Sequence, residues 1–371
     1  MPAKITKTIW LPALLWLVVQ AMLWYTNKIG ITNEAEKYIS QAGYLQQQGA
    51  FNAAKYIFYI IPILVIFVCI KLHIALASVV VTQLVVNALA TVTFYKIAAA
   101  LFAKPGQTMC ATVLFITFIP LQYWNSFLYT ESFFYSFCIF YMYAFIVLPA
   151  HKTSTHIIRF IIVTALFFTR PLGILFVPVT AFYYLSQSRL PRYIKWLVIA
   201  GAGIAVYFLV NFLYTGGGDM DILIPQKEGF IVCYGYAMPQ PGLQVITTGN
   251  PLNNLGYFIL HNPLYFVKLA FFRLVSFFTL SRAYYSALHN LYLVANMALL
   301  YGFSLLSVIK SALVKTPAFK NILLPLLFIF CAGVMLQCDD YNSRFSMPLF
   351  PWLMLLATNG IFMLPKKRTK R

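Results

Sequence analysis

Carboxylates are scarce in this 371-residue chain, with eight Asp and Glu against 27 Lys and Arg. Charged residues of both signs make up only 9%, while hydrophobic residues reach 61%. No soluble domain of this size covers so apolar a surface with polar groups. Cysteine is sparse as well. Cys69, Cys110, Cys138, Cys233, Cys331 and Cys338 form no CxxC pair, which argues against a metal or redox centre and reads them as small buried hydrophobes. No stretch carries the strand-and-turn repeat of a barrel, and neither end is polar for long enough to form a soluble domain. What is present is a succession of apolar runs of about 20 residues, the length that spans a bilayer as a helix.

The fold class that follows is all-α, a polytopic transmembrane helical bundle forming a single integral membrane domain over residues 1–371. The first run, 8–27, follows Lys4 and Lys7 and lacks a small-residue cleavage pattern, so it reads as a retained helix. A net charge of +19 would suggest nucleic acid in a soluble protein. Here the cations sit in short loops, as at Arg189, Arg192 and Lys195, or in the basic tail 365–371, and such clusters keep loops cytoplasmic. Their natural partners are anionic membrane lipids rather than nucleic acid.

Lys71 and His73 interrupt the run near 56–72, and Lys268 and Arg273 interrupt 263–281. Treating both as interfacial rather than crossing gives about ten crossings with both termini cytoplasmic, and satisfies the positive-inside rule throughout. The loops 28–55 and 215–262 are then external. So are all four acidic clusters: Glu34 with Glu36, Glu131, Asp219 with Asp221 and Glu228, and Asp339 with Asp340.

In the first external loop a helix beginning near Asn33 places Glu34 and Tyr38 on one stripe, with the carboxylate at the positive end of the helix dipole. The bland role for Glu34 is an interfacial helix-capping acid. Pro120 breaks the next helix ahead of Thr130 and Glu131, leaving irregular backbone and a carboxylate at a depth where charge is costly unless paired or used. Capping by Thr130 and Glu131 is the structural alternative. Thr169-Arg170-Pro171-Leu172-Gly173 sets a guanidinium between two short apolar runs, and a buried Arg needs an anion, either Glu131 or a phosphate. Arg344, before Phe345 and Pro348, suits a phosphate contact or snorkelling to the interface. His261 and His289 have no partner at metal-ligand spacing, and Asp219 with Asp221 reads as a solvated loop more than as a cation site.

Taken in order, these pieces resemble the GT-C fold membrane glycosyltransferases, the superfamily of protein mannosyltransferases and lipid A aminoarabinose transferases that use polyprenyl-phosphate sugars. The resemblance implies transfer of a sugar from a polyprenyl-phosphate donor to a lipid, glycan or protein acceptor on the outer face of a bacterial inner (plasma) membrane. It leaves Glu34 or Glu36 as the candidate base, with Glu34 assigned that role and Glu131 a second carboxylate, Arg170 and Arg344 on the phosphate, and Tyr38 and Glu36 among the substrate-binding residues. The family's usual Asp or Asp-Glu is Asn33-Glu34 here, which leaves open whether a divalent cation such as Mg or Mn takes part. A transporter or flippase of lipid-linked or small anionic substrates, and a polysaccharide polymerase or ligase, are the competing classes. A structural scaffold fits least well, because intramembrane charge without function is costly.

Overall fold

The computed structural model describes residues 10–31, 33–214, 222–311 and 313–364. Asp219, Asp221 and the basic tail lie outside the described residues. Helix follows helix because in an apolar run each backbone group has to bond within its own segment. The chain opens with α1 (Trp10–Asn27) and the amphipathic α2 (Asn33–Gln48). A 3₁₀ turn at Ala54–Tyr59 feeds α3 (Ile60–Lys71), and then come α4 (Ala77–Leu101), α5 (Pro105–Thr117), the single turn α6 (Ile119–Gln122) and α7 (Glu131–Ile146). After these come α8 (Thr153–Phe167), α9 (Phe176–Gln187), α10 (Arg192–Tyr214) and the single turn α11 (Ile224–Lys227). The strands β1 (Phe230–Val232) and β2 (Tyr236–Ala237) pair antiparallel, and α12 (Pro251–His261), α13 (Pro263–Thr279), α14 (Ala287–Lys310), α15 (Leu324–Leu336) and α16 (Phe350–Ile361) complete the order.

Four helical stretches among the described residues are long and apolar enough to cross a membrane: Ala54–Lys71, Ala77–Leu101, Ala287–Lys310 and Phe319–Leu336. A fifth results if α12 and α13, bent by 106°, count as one broken span. The chain is thus a helical membrane protein with fewer such spans than the ten expected. The physical reason is length. Glu131–Ile146, Thr153–Phe167, Pro171–Gln187 and Met347–Ile361 are apolar but short. At about 1.5 Å per residue, a helix like these covers only about 20–25 Å of a hydrocarbon core about 30 Å thick.

Contacts divide the chain into two compact units, Met1–Val177 with Leu300–Lys320 and Met347–Arg371, and Pro178–Leu299 with Asn321–Ser346. In the first unit α7 is the buried centre, packed by α4 and α8, while α1 and α16 lean on α5. The small residues Ala35 and Ala42 of α2 let it lie close along α3, against Ile63, Ile66 and Cys69. Ile61 N donates to Phe168 O at 3.1 Å, and Gln83, in the second turn of α4, donates to Tyr129 O at 2.8 Å. The start of α3 and the second turn of α4 are therefore both bonded near the end of α7 that carries Glu131. Ala54–Lys71 has the length and the apolar composition of a span.

In the second unit α13 packs on α15 and β1. Arg273 of α13, read from the sequence as an interfacial charge, is instead fully buried. It donates to Phe230 O (2.8 Å), Pro225 O (2.9 Å), Met335 O (2.9 Å) and Gln226 Oε1 (3.1 Å), so one guanidinium ties the hairpin, α11 and α15 to α13. A disulfide joins Cys233 to Cys338. This corrects the reading of all six cysteines as isolated hydrophobes; Cys69, Cys110, Cys138 and Cys331 are free.

Candidate functional site

The helical run breaks at Phe118, and Pro120 opens the short α6, which passes through a 3₁₀ turn at Tyr123–Ser126 to non-helical backbone at Phe127–Thr130, so polar groups of this interrupted stretch have to be satisfied inside the bundle. Buried amides do this. Gln122 donates to Phe115 O at 3.0 Å and accepts from Gln20 of α1 at 2.9 Å, Asn125 donates to both glutamines, and Ser132 donates to Asn125 Oδ1 at 2.6 Å. The stretch is also sewn to the chain leading into α2. Asn27 Nδ2 donates to Ser126 Oγ (3.1 Å), Gly30 N to Ser126 O (3.0 Å) and Leu128 N to Gly30 O (3.1 Å). A Cβ on Gly30 would sit 2.1 Å from the Phe127 ring, so only glycine permits this approach. The bridge places the start of α2, with Glu34, beside the start of α7, with Glu131.

Glu131 is fully buried as the first residue of α7. Thr130 is the N-cap residue of α7 without a side-chain capping bond of its own, and its hydroxyl donates to Glu131 Oε2 at 3.2 Å. The other carboxylate oxygen accepts from Arg170 Nη1 at 2.5 Å, and the guanidinium is itself buried. Arg170 is held by the turn that follows it. Gly173 N donates to Arg170 O at 2.8 Å, and a Cβ on Gly173 would lie 1.9 Å from Leu166 O, which accounts for the glycine two residues past the Arg-Pro pair. Arg170 is thus the partner of Glu131, the first of the two anions named for it.

Tyr38 of α2 is buried, with its ring centroid 5.4 Å from that of Tyr59. Burial holds its hydroxyl pKa well above the ordinary value, the Tyr59, Glu34 and Glu131 charges push it further, and Arg170 pulls the other way. Tyr38 therefore stays protonated as a donor, within electrostatic reach of both carboxylates and the guanidinium. Glu34 is half-buried one helical turn before it, whereas Glu36 is exposed. The structure brings Glu34, Tyr38, Glu131 and Arg170 together and turns Glu36 outward. Sequence reading missed Tyr59, Gly30 and the amide network. Gln20 was the available signal, a carboxamide inside an apolar helix.

Arg344 belongs to the second unit, where Asp340 fills its fork: Nε to Oδ1 at 2.7 Å and Nη2 to Oδ2 at 2.9 Å. Beside it Arg282, which sequence reading also missed, pairs with Asp339 at 2.7 Å with both side chains wholly buried. Burial pushes the Asp339 carboxyl up to about 6, against the lowering effect of Arg282 and Ser276. A half-open cavity of about 290 Å³ adjoins this pair, walled by Val232, Tyr236, Phe272, Val275 and Tyr284. His261 stacks on Tyr257 and His289 on Tyr285, which gives each a structural partner.

Among the described residues no three His, Cys, Asp or Glu side chains gather as a metal site. Glu131 already has one oxygen on a guanidinium and the other on a hydroxyl, so its carboxylate does not offer a ready cation site. The chain matches no family model, no curated protein and no solved structure.

Proposed function

We propose that the chain is a membrane glycosyltransferase that moves a sugar from a polyprenyl-phosphate donor to a lipid, glycan or protein acceptor at the extracytoplasmic face of a bacterial inner membrane. The observation that carries this reading is the convergence of Glu34 and Tyr38 of α2, Glu131 of α7 and Arg170, from three separated stretches, at one end of α7. Their order along the chain is also that of the GT-C enzymes they resemble.

In this reading the half-exposed Glu34 takes the proton from an acceptor hydroxyl as its oxygen bonds to the sugar's anomeric carbon. The bond from that carbon to the donor phosphate breaks, and the electron pair leaves with the lipid phosphate. General-base help of this type is worth about 10²–10⁴-fold. Glu131, fixed by Arg170 and Thr130, orients the acceptor, and Tyr38 contributes a neutral donor hydroxyl. Arg170 brings positive charge to the site while holding Glu131, and stabilising the departing anion is commonly the larger effect. Arg344, clamped on Asp340, is left out of the phosphate contact.

The broken helix pair α12–α13 favours a second reading as a carrier of lipid-linked or anionic substrates, since discontinuous helices line many transport sites. One experiment separates the two. Purified full-length protein is incubated with a panel of radiolabelled polyprenyl-phosphate sugars and extracted lipid acceptors. A covalently labelled acceptor is expected; donor movement across reconstituted vesicles with no labelled product would overturn the enzymatic reading.

A further inference from the structure

We propose that Cys233 and Cys338 are an oxidation site in an extracytoplasmic, oxidising compartment, and that their cystine locks the acidic loop after α15 onto the β1 strand and fixes the side of the membrane this loop faces. The inference does not rest on the glycosyltransferase reading.

Three kinds of bond converge there. Cys233 N donates to Asp339 O at 2.8 Å and Asp339 N to Ile231 O at 2.9 Å, which makes a parallel backbone bridge. Arg282 Nη2 holds Asp339 Oδ2 at 2.7 Å and also donates to Asp340 O, while Nε donates to Tyr341 O. The two cysteines, 105 positions apart in sequence, have Cα atoms 5.4 Å apart, within the range a disulfide needs. The bridge and the ion pair hold the two thiols together without help from the cystine, so oxidation seals an arrangement already formed. In that step the two thiols give up two protons and two electrons as their sulfur–sulfur bond forms, and the disulfide of a thiol oxidoreductase is reduced to a dithiol. Such exchange runs towards cystine outside the cytoplasm and against it inside.

The orientation then follows from chain lengths. Cys338 lies two residues beyond α15, at the end of the candidate span Phe319–Leu336, so Lys320 at the start of that span is on the cytoplasmic side. The neighbouring span, Ala287–Lys310, runs the opposite way, starting near Arg282 and ending at Lys310. Lys310, Lys315 and Lys320 therefore share the cytoplasmic connection, where positive charge belongs. The covalent bond, the Arg282 contacts and the lysines agree on one orientation.

The test uses the full-length chain, alkylated before proteolysis under non-reducing conditions. A linked peptide carrying Cys233 and Cys338 is expected, and two separately alkylated peptides would overturn the proposal. A Gln240→Cys variant, at an exposed residue past the hairpin, reports the side. In sealed vesicles with the extracytoplasmic face outward, a membrane-impermeant maleimide should label it fully; labelling only after detergent opens the vesicles would overturn the assignment even if the cystine is present.

Discussion

At the scale of single residues, buried charge decides what is built and what is used. Glu131 and Arg170 are both buried and meet at 2.5 Å, so removing one partner leaves the other charge stranded. Arg170→Gln is expected to lower stability by about 3–5 kcal/mol, and the double variant with Glu131→Gln to regain a substantial part of that loss. Thermal unfolding in detergent checks this, and an additive double variant would contradict the pairing. The candidate carboxylates were legible in the sequence because charge at membrane depth is rare enough to stand out. Their partners were less so. Arg170 had two anions open to it, and the Arg344–Asp340 and Arg282–Asp339 pairs depend on loop conformations that spacing does not encode.

Among the elements, the approach of α2 to α7 turns on one glycine. Gly30→Ala would drive a methyl into the Phe127 ring and is expected to cost about 1–3 kcal/mol, the usual range for overpacking, with Phe127→Ala in the same chain relieving most of it. Chemical unfolding of the three variants measures this; a Gly30→Ala protein as stable as the parent would show that the bridge is not tight. The sequence announced the break at Pro120 and the amphipathic α2, both local effects. It did not announce the amide network of Gln20, Gln122 and Asn125, because each member looks like an isolated polar residue until the helices are packed. The disulfide was hidden for a similar reason. Cys233 sits in a loop and Cys338 just past an apolar run, so each was discounted singly.

For the whole molecule, hydropathy gave the class correctly and the number of crossings too generously, since apolar length was counted where Pro120, Pro171 and Pro263 interrupt or open helices. The lie of α3 gives a direct prediction. Cysteines introduced at the exposed positions Lys37 and His73 are expected to react with an impermeant maleimide from the same side of the membrane, because the start of α3 and the second turn of α4 are both bonded near the Glu131 end of α7. Labelling from opposite sides would mean that Ala54–Lys71 crosses. The account as a whole stands on the half-buried glutamate of α2, one turn before Tyr38, which is within electrostatic reach of both it and Glu131, while its neighbour two positions on is exposed. The most direct measurement compares sugar transfer by Glu34→Gln and Glu36→Gln proteins of equal thermal stability. Transfer reduced by about 10²-fold or more in the first and near the parent rate in the second is the predicted result. Equal rates in the two, or full activity in Glu34→Gln, would contradict it.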